Sequence, residues 1–250
     1  MVGALAVGVS AGGCGAAVAF TEVDQKVTAK AVQSSLTAPT VSVTATAGDH
    51  GSGNAAESWG IAGAGGLYVG LGAAVGKAIV NNTITAELGS TTDGGSTGAA
   101  SGVIAVSATD TSEVATYGYG FGFGAAAVGL SLGFSQKSST VSADIAASTT
   151  ITNFSDVSVK ASGSGLVYSH TIAGAGGIVS GAGSSANATD SEIVSAGIGA
   201  NASVSATGTN GILVDARATP NVSVESEGVA AGAIGVGASV ALATASANVT

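Results

Sequence analysis

Three stretches of the chain carry residue types and spacings that could do chemistry. Gly8-Val9-Ser10-Ala11-Gly12 has the form of a nucleophile elbow, in which a strand-to-helix turn lifts a serine beside a histidine and an acid. Gly70-Leu71-Gly72-Ala73-Ala74-Val75 has the glycine spacing of a dinucleotide fingerprint. Asp49-His50 and the Asp215/Arg217 pair are the candidates for acid–base work on a polysaccharide. Each lacks a requirement. No helix is expected after Ser10, and the only histidines are His50 and His170. Val75 stands where the fingerprint needs Gly or Ala, and neither acidic pair gathers further carboxylates. The expectation is a protein without catalytic or cofactor-binding residues.

A metal site is not expected either. Calcium-binding β-rolls need G-G-x-G-x-D, and the nearest approach, Gly94-Gly95-Ser96, continues with Thr97 for glycine and Ala99 for aspartate. A single cysteine cannot form an internal disulfide. Cys14 aligns with Leu71, Val128, Ala182 and Val236, which predicts a buried, unreactive thiol.

Composition narrows the classes further. Six basic residues against 15 acidic ones give a net charge of −9, and Lys26 and Lys30 are the closest basic pair. A phosphate backbone needs a stripe of Lys and Arg, so nucleic acid is excluded as a partner. Gly is 41 of 250 residues and only 8 % are charged, yet 46 % are hydrophobic. Disorder requires low hydrophobicity and high charge, so this chain is expected to fold. Met1 to Phe20 is free of charge, but it lacks the basic start of a signal peptide and aligns with later stretches, so it reads as a repeat.

The residues above must be positioned by something periodic. The block Gly13-Cys14-Gly15-Ala16-Ala17-Val18 returns at Gly70, Ala127, Gly181 and Gly235, in steps of 57, 57, 54 and 54. A second motif keeps the same time: Val27-Thr28-Ala29, Ile84-Thr85-Ala86, Val141-Ser142-Ala143, Val194-Ser195-Ala196 and Val249-Thr250. Residues 1–250 therefore read as one array of about four and a half units of 53–57 residues, cut from a longer chain.

Within a unit the apolar period is two. Tyr117-Gly118-Tyr119-Gly120-Phe121-Gly122-Phe123-Gly124 would put four rings on one face of a strand and four glycines on the other. Val41–Ala45, Val103–Ala108, Val157–Ala161 and Val222–Glu225 alternate as well. Turns are expected at 49–54, 91–96, 109–112, 135–138 and 207–211, which are rich in Ser, Thr, Asn, Asp and Gly. The six Asn-x-Ser/Thr sequons, at Asn81, Asn153, Asn187, Asn201, Asn221 and Asn248, are expected to serve turn formation and side-chain stacking between coils.

The fold class this predicts is all-β: a β-solenoid, as a right-handed parallel β-helix built from the repeats of about 57 residues, with a β-sandwich array as the structural alternative. Three coils of about 19 residues or two of about 28 would each fill a repeat. Val18, Val75, Leu132 and Val240 are expected to form one interior column, and Val27, Ile84, Val141, Val194 and Val249 another.

The run from Gly70-Leu71-Gly72-Ala73-Ala74-Val75 into Ile79-Val80-Asn81-Asn82-Thr83-Ile84-Thr85-Ala86, and its return over Gly235–Thr250, resembles the repeat regions of large secreted bacterial surface proteins. These are the filamentous-haemagglutinin-like and leukotoxin-type filamentous adhesins. The resemblance implies a β-helical rod exported to the cell surface, with no catalytic residues to carry over. It implies neighbouring repeats as the first partners, host or matrix surfaces as further ones, and end-to-end self-association through unpaired edges. The competing classes are a polysaccharide-active β-helix enzyme and a membrane-embedded Gly-rich assembly.

Overall fold

The computed structural model describes residues 1–48, 53–93 and 102–250. Asp49, His50 and the Gly94–Ala99 stretch lie outside them, and with them the expected turns at 49–54 and 91–96 in large part. The described residues form strands and no helix: β1 (Val2–Thr37), β2 (Thr40–Gly48), β3 (Ala56–Asp93), β4 (Gly102–Thr111), β5 (Val114–Phe123) and β6 (Ala126–Ile145). They continue with β7 (Thr150–Gly176), β8 (Val179–Ile198), β9 (Ser203–Ala206), β10 (Ile212–Ala231) and β11 (Ile234–Val249). The alternation of small and β-branched residues that predicts strands is thus realised in every segment named for it.

All pairing is parallel, in one large sheet. One line of ladders runs β1–β3–β6–β8–β11, and another runs β2–β4–β7–β10, with β5 between β3 and β7. Each residue pairs with its equivalent one repeat away, at separations of 52 to 63 residues. Units of 19 or 28 residues are therefore not what the strands form. The reason is strand length. β6 runs 20 residues and β7 runs 27 without a turn, so a repeat is used up by one outward and one returning run.

Ser135-Gln136-Lys137-Ser138, expected as a turn, sits inside β6. The observed turns fall at 124–125, 146–149, 177–178, 199–202 and 232–233, and the expected one at 207–211 is present. Asn153 and Asn201 carry positive φ angles of 63° and 59°, the left-handed conformation that Asn tolerates better than most residues. Asn81 donates from Nδ2 to Asp24 Oδ1 at 2.8 Å, a bond between side chains one repeat apart.

Within a repeat the returning run folds back over the outward run, and the interior between them grades in size. Near the turn at 124–125 the layers touch through glycine. A Cβ on Gly120 would lie 1.8 Å from the Leu130 carbonyl oxygen, and one on Gly122 would lie 2.3 Å from that of Val128. Here glycine is required by the closeness of two backbones. Alanines follow, as Ala17, Ala62 and Ala74 in one cluster and Ala127, Ala173, Ala175 and Ala182 in another. At the far end Ile84, Leu88, Ile104, Ile145, Ile151 and Phe154 fill the main core.

The second expected column is in that core. Val27 packs against it, Ile84, Val141 and Val194 are fully buried, and Val249 on the outermost strand is half exposed. The first column is not interior. Val18, Leu132 and Val240 are 69 %, 39 % and 61 % exposed, and Val75 is partly exposed. Side chains alternate along a strand, so positions nine apart in one unbroken strand, such as Val75 and Ile84, must face opposite ways. Cys14 is corrected by the same rule. It lies on the outer face, exposed, and its inward neighbours Gly13 and Gly15 meet the carbonyl oxygens of Gly65 and Gly63. Its ladder partners are Leu71 and then Val128, continuing to Gly181 where alignment had suggested Ala182.

Candidate functional site

The residues that the sequence singles out for chemistry are spread apart. Ser10 is exposed in β1 and its Oγ donates to the Gly12 carbonyl at 2.7 Å. Arg217 lies 3.7 Å from Asp215 on β10, and both are exposed, which makes the pair a weak surface contact. Among the described residues no three His, Cys, Asp or Glu side chains converge as metal ligands would.

Two other groups are built by the parallel register. The first is polar and buried between the layers. Counting by twos back from Val141 puts Ser139 and Lys137 on the inward face of β6, and the same count from Val194 places Glu192 and Asp190 inward on β8. Asn82 is two before Ile84 on β3. Across the gap, Asp110 is the next-to-last residue of β4 and Ser112 follows the strand. Lys137, Asp110, Asp190 and Ser112 are 0 % exposed and Glu192 is 1 % exposed.

Lys137 Nζ donates to Glu192 Oε1 at 2.7 Å and to the Ser164 carbonyl, and it lies 3.6 Å from Asp110 Oδ2. Asp110 is held on both oxygens. Its Oδ1 accepts from Asn82 Nδ2 at 3.0 Å and from the Ser112 amide at 3.1 Å, while Oδ2 accepts from Ser139 Oγ. Among the described residues Glu192 Oε2 has no hydrogen-bond partner. Burial pushes the Asp190 carboxyl up to about 6. Lys137 and the Asn221 backbone oppose this, while Glu192 and Asp110 add to it. Three carboxylates thus share one ammonium in a water-poor interior, where unpaired charge is costly.

The second group lies on the outer face. The ladder Trp59–Tyr117–His170–Glu225 runs across β3, β5, β7 and β10. Tyr119 and Tyr168 lie two residues from Tyr117 and His170 on the same face. Trp59 stacks on Tyr117 with centroids 4.0 Å apart, and Tyr119 meets the His170 ring edge-on at 5.7 Å. Trp59 Nε1 donates to Glu57 Oε1, and the Tyr168 hydroxyl donates to Glu225 Oε2 at 3.0 Å. Burial and the bond to Glu225 push Tyr168 up to about 12. Burial raises Tyr117 and Tyr119 too, helped by Glu57 in the first case. The Tyr-Gly alternation predicts rings on one face and glycines on the other, and the structure turns the rings outward. The alternation missed Trp59, Tyr168 and His170, which only a register of 58 and 53 residues brings beside them.

Outside the ring cluster the outward positions of the returning runs are largely apolar: Leu71, Val128, Leu130, Leu132, Phe134, Val236, Val240 and Leu242 are all exposed. No protein-family profile, curated protein or solved structure matches the chain.

Proposed function

We propose that this chain is a non-catalytic rod or adhesive segment of an exported bacterial surface protein, folded as a right-handed parallel β-helix with one repeat per turn. The observation that carries the reading is the register. Every repeat adds one strand to each ladder, so the sheet grows along one axis by about 4.8 Å per repeat. Parallel crossovers are right-handed in nearly all known cases, which supports the hand. A structure that extends by repetition spans distance without a unique site. Its outer face presents rings and aliphatic side chains that suit contact with host or matrix surfaces.

β1 and β11 each pair on one side only, and carry exposed Leu5, Val9, Val236 and Val240. Such edges template further pairing, so neighbouring repeats or second copies are the partners expected at both ends. The test is small-angle scattering on chains lengthened by whole repeats. Each added repeat should lengthen the particle by about 4.8 Å at constant cross-section. A cross-section that grows with repeat number would overturn the rod. Polysaccharide turnover lost on changing Asp215 would overturn its non-catalytic character, and a chain confined to the cytoplasm of its native cell would overturn the export.

A further inference from the structure

We infer that Lys137 and Asp110 form a side-chain amide, a covalent staple between β6 and β4 made by the folded chain itself, with Glu192 as the proton carrier. The inference does not depend on the rod reading. It rests on the geometry of the buried group.

The reacting pair is in place. Lys137 Nζ is 3.6 Å from Asp110 Oδ2, an oxygen on the carbon that the amine would attack, with no hydrogen bond between them. Asp110 is the carboxyl prepared for attack. Asn82 Nδ2, the Ser112 amide and Ser139 Oγ all donate to its oxygens. Donors of this kind stabilise the negative oxygen of a tetrahedral intermediate. Glu192 is the nearest base to the nucleophile, with Oε1 at 2.7 Å from Nζ and Oε2 free to hold a proton. Asp190, next to Lys137 in the ladder, completes the acidic surroundings.

The step balances without any added reagent. Glu192 takes a proton from the Lys137 ammonium, and the freed amine attacks Cγ of Asp110. A C–N bond forms, one C–O bond breaks, and the oxygen leaves as water with the proton returned by Glu192 and a second one from the nitrogen. Ammonium plus carboxylate becomes amide plus water, with no change in total charge. In water the hydration of the two ions opposes this. Here both side chains are fully buried, so the ions have already lost their hydration and a neutral amide replaces a costly buried pair. Burial also removes the water needed for the reverse reaction.

The staple would join the outward and returning layers of one repeat, in a chain whose single cysteine, Cys14, rules out an internal disulfide. The experiment is the intact mass of the purified 250-residue chain under denaturing conditions, with peptide mapping. The expected mass is one water below that of the sequence, with a branched peptide joining the Lys137 and Asp110 segments. K137R and E192Q should each return to the full mass for their sequences. The wild-type reading does not require either variant to fold. A full, unmodified mass in wild-type chain that shows β-structure by circular dichroism would overturn the inference. A branch from Lys137 to Glu192 or Asp190 would overturn Asp110 as the electrophile, and an E192Q chain still lacking one water would overturn the role of Glu192.

Discussion

Replacing Gly120 by alanine should destabilise the fold far more than replacing Gly63, although the two glycines occupy adjacent rungs. Ala62 pairs with Gly120 and Gly63 pairs with Phe121, so both positions belong to the same two strands. They differ in the face they present. A Cβ on Gly120 would stand 1.8 Å from the Leu130 carbonyl oxygen and 2.7 Å from its carbon, whereas one on Gly63 would meet nothing within 4 Å. Relief at Gly120 needs a backbone shift of more than an ångström, since the obstacle is main chain and no side chain can rotate away. β5 and β6 are each hydrogen-bonded on both sides, which resists that shift. Overpacking of this kind costs about 1–3 kcal/mol, and the depth of the clash places G120A at the upper end. G63A should be neutral or stabilising by about 0.4–1 kcal/mol, because alanine narrows the unfolded ensemble. Urea denaturation followed by circular dichroism measures both, with the midpoints compared at a common slope. Equal midpoints for the two variants would refute the close approach of the layers and the interior gradient built on it.

Other outcomes follow from the same structure. I84A should cost about 2–5 kcal/mol, and L132A, on the outer face, less than about 1 kcal/mol by the same assay. Cys14 should react with a thiol reagent in the native protein nearly as fast as in denaturant, and strong protection would contradict its outward placement. Asp190 titrates near 6 when folded against an ordinary value of 3.8, so the folded state holds the extra proton and stability should fall as pH rises from about 4 to about 6. Thermal melts of D190N across that range should lack the decline. Y117A should shift and intensify or quench the single Trp59 emission and cost about 0.5–1.5 kcal/mol beyond lost area, and an unchanged spectrum would mean the rings do not stack.

Period determined much of this protein without any coordinates. The repeat step foretold which residues become ladder partners, and Val27, Ile84, Val141 and Val194 do align in the core. Alternation foretold the strands and the split of rings from glycines in β5. These are local properties, since the side-chain direction of a strand reverses at every residue. What the tertiary structure alone decided is where strands stop. Ser135–Ser138 has the composition of a turn but continues as strand, because Lys137 finds Glu192 and the Ser164 carbonyl inside the fold. With no turn between Val75 and Ile84, an odd spacing sends the first outward and the second inward. The same parity exposes Cys14 and buries Lys137, Asp190 and Glu192. Parity along a strand is written in the chain, but it carries a face assignment only as far as the strand is unbroken. That length was set by partners one repeat and one layer away.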